Sequence, residues 1–161
     1  MPNLSEYKEY KGKLVKAIVE NADCVALITN TTGTTLPAKS LIDTPSKVNQ
    51  LHLYDYVPNT TEEAKTHVCI EVYDGPAINY TVAGFFIEVE IIVPETMMRM
   101  SGDTRLDALA VAIDKLINGS ADYGFGNVSR VQSALNVPAE GFRGRLLKYY
   151  VKDWNMTGIT R

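Results

Sequence analysis

Histidine and cysteine, the side chains on which most nucleophilic, acid–base and metal chemistry depends, are scarce in this sequence: two of each in 161 residues. Cys24 and Cys69 are far apart and form no C-x-x-C pair, and a chain of this length needs no disulfide, so reduced, packed thiols are expected. His52, His67, Cys69 and Asp74 match no zinc-ligand spacing, which leaves His67 and Cys69 as partly exposed strand residues. No serine stands in a G-x-S-x-G turn. The Gly124-Phe125-Gly126 segment lacks the third glycine of a dinucleotide loop, and Gly141-Phe142-Arg143-Gly144 lacks the Lys-Ser/Thr of a phosphate loop. Both read as turns that use backbone angles closed to other residues. Catalytic residues, cofactor and metal are therefore all expected to be none.

Basic charge and long apolar runs are also missing. Nineteen acidic against sixteen basic residues give a formal charge of −3, the wrong sign for tight binding to a phosphate backbone. No window approaches the ~20 apolar residues of a membrane span, and the start Met1-Pro2-Asn3-Leu4 is no signal peptide, so a cytosolic site of synthesis is expected. On that expectation the N-x-S/T triplets at Asn3, Asn30, Asn59, Asn79, Asn118, Asn127 and Asn155 mark turn-forming loops, not glycans.

What is present is a normal globular balance, 45% hydrophobic and 22% charged, at a length suited to one domain over 1–161. Leu4, Tyr7, Leu14, Val15 and Ile18 recur at helical spacing, predicting a helix over 4–21 opened by Asn3 and Glu6, with Gly12 as its weak point. Residues 29–50 have no periodicity and read as a long loop with at most one short turn of helix, an arm for a neighbour. Alternation predicts an edge strand over 51–57 stopped by Pro58, a second strand over 67–73, and the clearest strand over 81–93, with Phe85, Ile87, Val89, Ile91 and Val93 on one side. A helix over 103–118 follows, with Asp103 at its start and Gly119 beyond its end. Strands over 127–135 and 144–152 come next, then a patternless tail over 154–161. Without repeated β-α-β spacing, this order is α+β: a small, mainly antiparallel sheet with an N-terminal helix and a central amphipathic helix packed on one face.

The other side of the 81–93 strand carries Phe86, Glu88, Glu90 and Ile92, so one sheet face is left for water or a partner. Glu88 and Glu90, with Glu71 nearby, are spaced like paired carboxylates, but no positioned base or aromatic platform accompanies them, and a solvated face accounts for them better. Met97, Met98 and Met100 crowd one connection, where flexible thioethers suit an irregular contact.

Several segments together resemble the neck or tail-completion proteins of tailed bacteriophages. They are Leu53-Tyr54-Asp55-Tyr56-Val57-Pro58, the strand end Glu90-Ile91-Ile92-Val93, the helix start Arg105-Leu106-Asp107-Ala108-Leu109-Ala110, the Gly-Phe-Gly turn, and Gly141 through Tyr150. The resemblance spans most of 51–153. It implies a virion protein of the head–tail junction, a tail terminator or connector, catalytically inert and built as a homo-hexameric ring. Adjacent connector and tail-tube proteins would be its partners, with DNA only as cargo passing through and no membrane contact. Glu88 and Glu90 would then face the channel, and Leu36, Leu41, Ile42, Met97, Met98, Arg99, Met100 and Trp154 would meet neighbouring subunits or rings. The alternative is a small intracellular enzyme or ligand-binding domain using the Glu71, Glu88 and Glu90 face.

Overall fold

The computed structural model describes residues 4–30, 38–61 and 64–154. The 3.6-residue apolar stripe at the N-terminus forms α1 (Leu4–Glu20), with Tyr7, Tyr10, Leu14, Val15, Ile18 and Val19 buried. Asn3, expected to open it, lies outside the described residues. The backbone turns at Asn21, whose side chain accepts the Cys24 N–H at 2.9 Å and starts a second helix, α2 (Ala22–Thr29). Asn30 closes α2 in the left-handed conformation, φ 56°. This helix escapes pattern reading because it is apolar on most sides, wedged between α1 and the later helix α4 (Arg105–Ile117).

Five strands form one sheet in the order β1-β2-β3-β7-β6: β1 (Leu51–His52), β2 (His67–Asp74), β3 (Val82–Pro94), β6 (Ser129–Asn136) and β7 (Phe142–Trp154). The β1–β2 pair is parallel, and the β2–β3, β3–β7 and β7–β6 pairs are antiparallel. The remaining strands, β4 (Arg99–Met100) and β5 (Asp103–Thr104), make a small separate hairpin. The expected α+β architecture, sheet plus helices on one face, is what the chain adopts. Its centre is the 13-residue β3–β7 ladder, in which Phe85, Ile87, Val89, Ile91 and Val93 are fully buried against the helices. At about 1.5–3 kcal/mol per large side chain removed from water, this stripe is a principal driving force of the fold.

Three expectations are corrected. The first strand ends at His52, not Val57, because residues 53–58 leave the sheet edge, with Tyr56 packing against Cys69, Ile92 and Phe142. The described part of 29–50 is no free arm: α3 (Ala38–Leu41) buries Leu41 to 1% exposure, Ile42 bridges to Leu51, Asn49 donates back to the Ile42 carbonyl, and Gln50 donates to the carbonyls of Ile28 and Thr66. The central helix begins at Arg105 behind Thr104, whose hydroxyl accepts the Asp107 N–H and donates to Asp107 Oδ2, while Asp103 belongs to β5.

Candidate functional site

Alternation along β3 turns Phe86, Glu88 and Glu90 away from the helices, and the strand register sets the cross-strand neighbours of each. Tyr73, Phe86 and Tyr150 form one row, Glu71, Glu88 and Lys148 the next, and Cys69, Glu90 and Leu146 the third. Within these rows the Tyr73 hydroxyl donates to Glu88 at 2.5 Å, and the Lys148 ammonium lies 4.1 Å from the Phe86 ring centroid and 5.2 Å from that of Tyr73. Glu71 is held by Lys11, which reaches round the sheet edge at 2.8 Å. Glu90 accepts from the Asn136 amide, and its carboxyl pKa is raised first by burial, then by the Asp55 and Glu88 carboxylates, against the pull of Asn136. The face is thus acidic at one row and neutralised at the next. Its carboxylates are each engaged, which suits a surface more than a general acid–base pair.

At one end this face is closed. Tyr56 and Ala139 cover a second small cluster of Cys69, Ile92 and Phe142. Beside it runs a chain of hydrogen bonds from Asp43 Oδ2 to His52 Nδ1 (2.6 Å) and from His52 Nε2 to His67 Nδ1 (2.9 Å). Tyr56 stacks on His52 with centroids 4.1 Å apart. His52 is fully buried and His67 and Cys69 nearly so, which corrects their expected partial exposure: the segment carrying Tyr56 leaves the sheet edge and packs over them, with Ala139 beside it. Burial, then the neighbouring His52, pushes the His67 pKa down to about 4. At Asp43 burial opposes ionisation, but hydrogen bonds from the Asn49 N–H, His52 and Tyr54 outweigh it and hold the carboxyl below its usual range. Burial raises the Cys69 thiol to about 12, so it is a packed, inert group. Among the described residues no group of three or more His, Cys, Asp or Glu side chains is arranged to hold a metal ion.

The methionine connection divides in two. Met97, in a 3-10 turn over Glu95–Met97, and the following Met98 are half-buried against the core, while Arg99 and Met100 on β4 are exposed. Arg105 fixes this turn: it donates to the carbonyls of Met97 (3.0 Å) and Leu27 (2.9 Å) and to Asn30 Oδ1 (2.6 Å), tying α2 to the start of α4. Burial lowers its pKa. A cleft of about 480 Å³ between α2 and α4 is lined by Ala26, Leu27, Met100, Arg105, Val111 and Lys115 among others. Trp154, half-exposed, stacks on Phe125 at 4.8 Å.

Of the residues singled out in the sequence, Glu88 and Glu90 share the open face; Arg99, Met100 and Trp154 are exposed; and Met97, Met98 and Ile42 are half-buried. Leu41 is buried in the core, and Leu36 lies outside the described residues. Sequence reasoning missed the Asp43–His52–His67 chain, for which no spacing signal exists, and the Arg105 clamp.

A family model described as YomW matches residues 19–151. A chain in a solved structure described as the virion of a native gene transfer agent (GTA) particle has the same fold, with a TM-score of 0.54 at 10% identity, covering 90% of this chain and 94% of that one. No curated protein matches.

Proposed function

The chain belongs to the YomW family, and from that premise we propose that it is a non-catalytic structural protein of a phage-like virion. In this reading it forms a ring where capsid portal and tail meet. The observation that carries the reading is the fold shared, over nearly the full length of both chains, with a component of a gene transfer agent virion. The phage neck-protein resemblance of 51–153 supplies the finer position and the homo-hexameric ring, with adjacent connector and tail-tube proteins as partners.

The surface chemistry fits such a role. A net charge of −3, with Glu88 and Glu90 in adjacent rows of the open face, suits a wall past which DNA slides without sticking. Exposed Arg99, Met100 and Trp154 offer contacts to neighbours, and half-buried Met97 and Met98 hold the turn that presents the first two. Among the described residues no helix is long and apolar enough to cross a membrane.

The test is the protein content of particles purified from a producing host. Quantitative mass spectrometry should find this chain in intact particles at a low, fixed ratio to the major tail protein. Its absence from intact particles, with abundance in the soluble host fraction, would refute the proposal. Glu88→Gln with Glu90→Gln separates the enzyme reading: a ring protein keeps assembling and changes only in salt sensitivity, whereas an enzyme loses turnover with its fold intact.

A further inference from the structure

The connection between β2 and β3 is a braced, projecting turn. Its foot is tied by the Gly75 N–H donating to the Gly84 carbonyl, and its crest by the Ile78 and Asn79 N–H groups, which both donate to the Val82 carbonyl. From inside, the Asn79 side chain accepts the Thr81 and Val82 N–H groups. What this turn holds out is apolar: Tyr80 is 99% exposed and Ile78 51%. Backbone already fixed in this way loses little further freedom when its side chains are covered. The turn also leans away from the helices. On the open face, the Tyr150 hydroxyl donates to the Pro76 carbonyl at 3.2 Å, and that carbonyl lies over Gly84, where an added methyl group would be 2.6 Å from it.

The cleft of about 480 Å³ between α2 and α4 has the complementary chemistry. Half-buried Ala26, Leu27, Ala108 and Ala112 give it an apolar wall of mostly small side chains, and exposed Asp23 and Lys115 give it a charged edge. Such a site suits a tyrosine: wall for the ring, a cation for the ring's negative face, a carboxylate for the hydroxyl. The turn of the same chain cannot enter it. Tyr7 bonds Asp74 at the foot of the turn and Asn21 lines the cleft, and nearly the whole of α1 separates the two, about 20 Å at the rise of a helix. We propose that the turn carrying Ile78 and Tyr80 docks in the α2–α4 cleft of the next copy of this chain. Met100 lines that cleft, and Trp154, paired with Val82, stands at the foot of the turn, so two of the exposed residues assigned to neighbour contacts fall at the two ends of this one. Because turn and cleft are different surfaces, the contact is head-to-tail, and each pair still carries an empty cleft and an unused turn until a ring closes. A tyrosine buries about 150–250 Å², far below the roughly 1,200 Å² of stable complexes, so two copies hold weakly and closure stabilises the set. For closure, though not for the contact itself, the inference rests on the ring reading.

Cross-linking of the full chain with a short bismaleimide, at about 100 μM to populate a contact this small, tests it. Thr81→Cys places a thiol beside Tyr80 and Val111→Cys places one on the cleft, both at exposed positions. The native Cys24 and Cys69 are buried, with thiol pKa values pushed up to about 12, and stay unreactive. The expected result is that neither single variant cross-links, their mixture gives dimers, and the double variant gives a ladder of oligomers. Adding Tyr80→Ala to the double variant should cut cross-linking at least about tenfold with the thermal midpoint unchanged, and Tyr80→Phe, which keeps the ring, by less than about threefold. A ladder ending in one closed species supports contact and ring together. An open-ended ladder that Tyr80→Ala abolishes upholds the contact and counts against the ring. Absence of cross-links in the double variant, cross-linking of either single variant alone, or a ladder that Tyr80→Ala leaves unchanged would overturn the inference and leave the virion reading untouched.

Discussion

His52 and His67 are hydrogen-bonded ring to ring, Nε2 to Nδ1 at 2.9 Å, in a site that leaves His52 no exposed surface. An N–H···N bond needs one nitrogen without a proton, so the pair cannot persist with both rings doubly protonated.

With the His67 pKa near 4 in the fold and near 6.5 in an unfolded chain, the unfolded state binds the extra proton between those values. Stability is therefore fully present above pH 6.5 and falls as pH drops towards 4, a loss of roughly 2 kcal/mol between pH 7 and pH 5. Urea midpoints at the two pH values measure it. His67→Phe should be less stable at pH 7, because His52 loses a partner, yet flatter in its pH dependence. A wild-type midpoint unchanged at pH 5 would mean that His67 is not held neutral.

Arg105 satisfies three acceptors on two other segments and, among the described residues, pairs with no carboxylate. Arg105→Ala should destabilise by about 3 kcal/mol, because buried carbonyls lose their donors. Arg105→Lys should recover only part of this, since an ammonium lacks the planar fork. Thermal midpoints compare the two.

Two glycines should respond oppositely to alanine. At Gly12, on the exposed side of α1, an added methyl group meets nothing, and the helix should gain up to about 1 kcal/mol. At Gly124 the backbone has φ +60° and the methyl group would sit 2.1 Å from the Lys152 carbonyl oxygen, so β7 must shift and stability should fall by more than about 2 kcal/mol. Equal responses would contradict the packing described.

Glu90 has a raised pKa, so its contribution to stability is full below its unfolded value and is lost as pH rises through the folded one. Glu90→Gln should therefore leave stability at pH 7 unchanged or slightly higher, by less than about 1 kcal/mol, with the advantage vanishing at acid pH. Denaturation curves at pH 7 and pH 4 decide it, and a clear loss at pH 7 would show that the charge is needed for the bond with Asn136.

The sheet was legible because its alternation is strong: Phe85 through Val93 mark one buried face whatever surrounds them. Gly119 at φ +81° and Gly124 at φ +60° likewise stand where turn chemistry requires them. Asn79 behaves as a turn residue should, its side chain accepting the Thr81 and Val82 N–H groups. What stayed hidden is non-local. α2 has no polar stripe because it touches helices on two sides, and Leu41 is buried in the core beside α1, an element remote from it in sequence. Asp43, His52 and His67 converge only because β1 lies parallel to β2, a pairing that periodicity does not encode. Of the open face, Glu88 and Glu90 were readable, whereas the moderating positions of Lys148, Lys11 and Asn136 depend on register and the sheet edge.

Cryo-electron microscopy of intact particles tests the central claim most directly. The account predicts density for this fold in a closed ring of identical copies at the head–tail junction, with the Glu88 and Glu90 face turned towards the DNA passage. Particles whose junction is fully accounted for by other chains would contradict it.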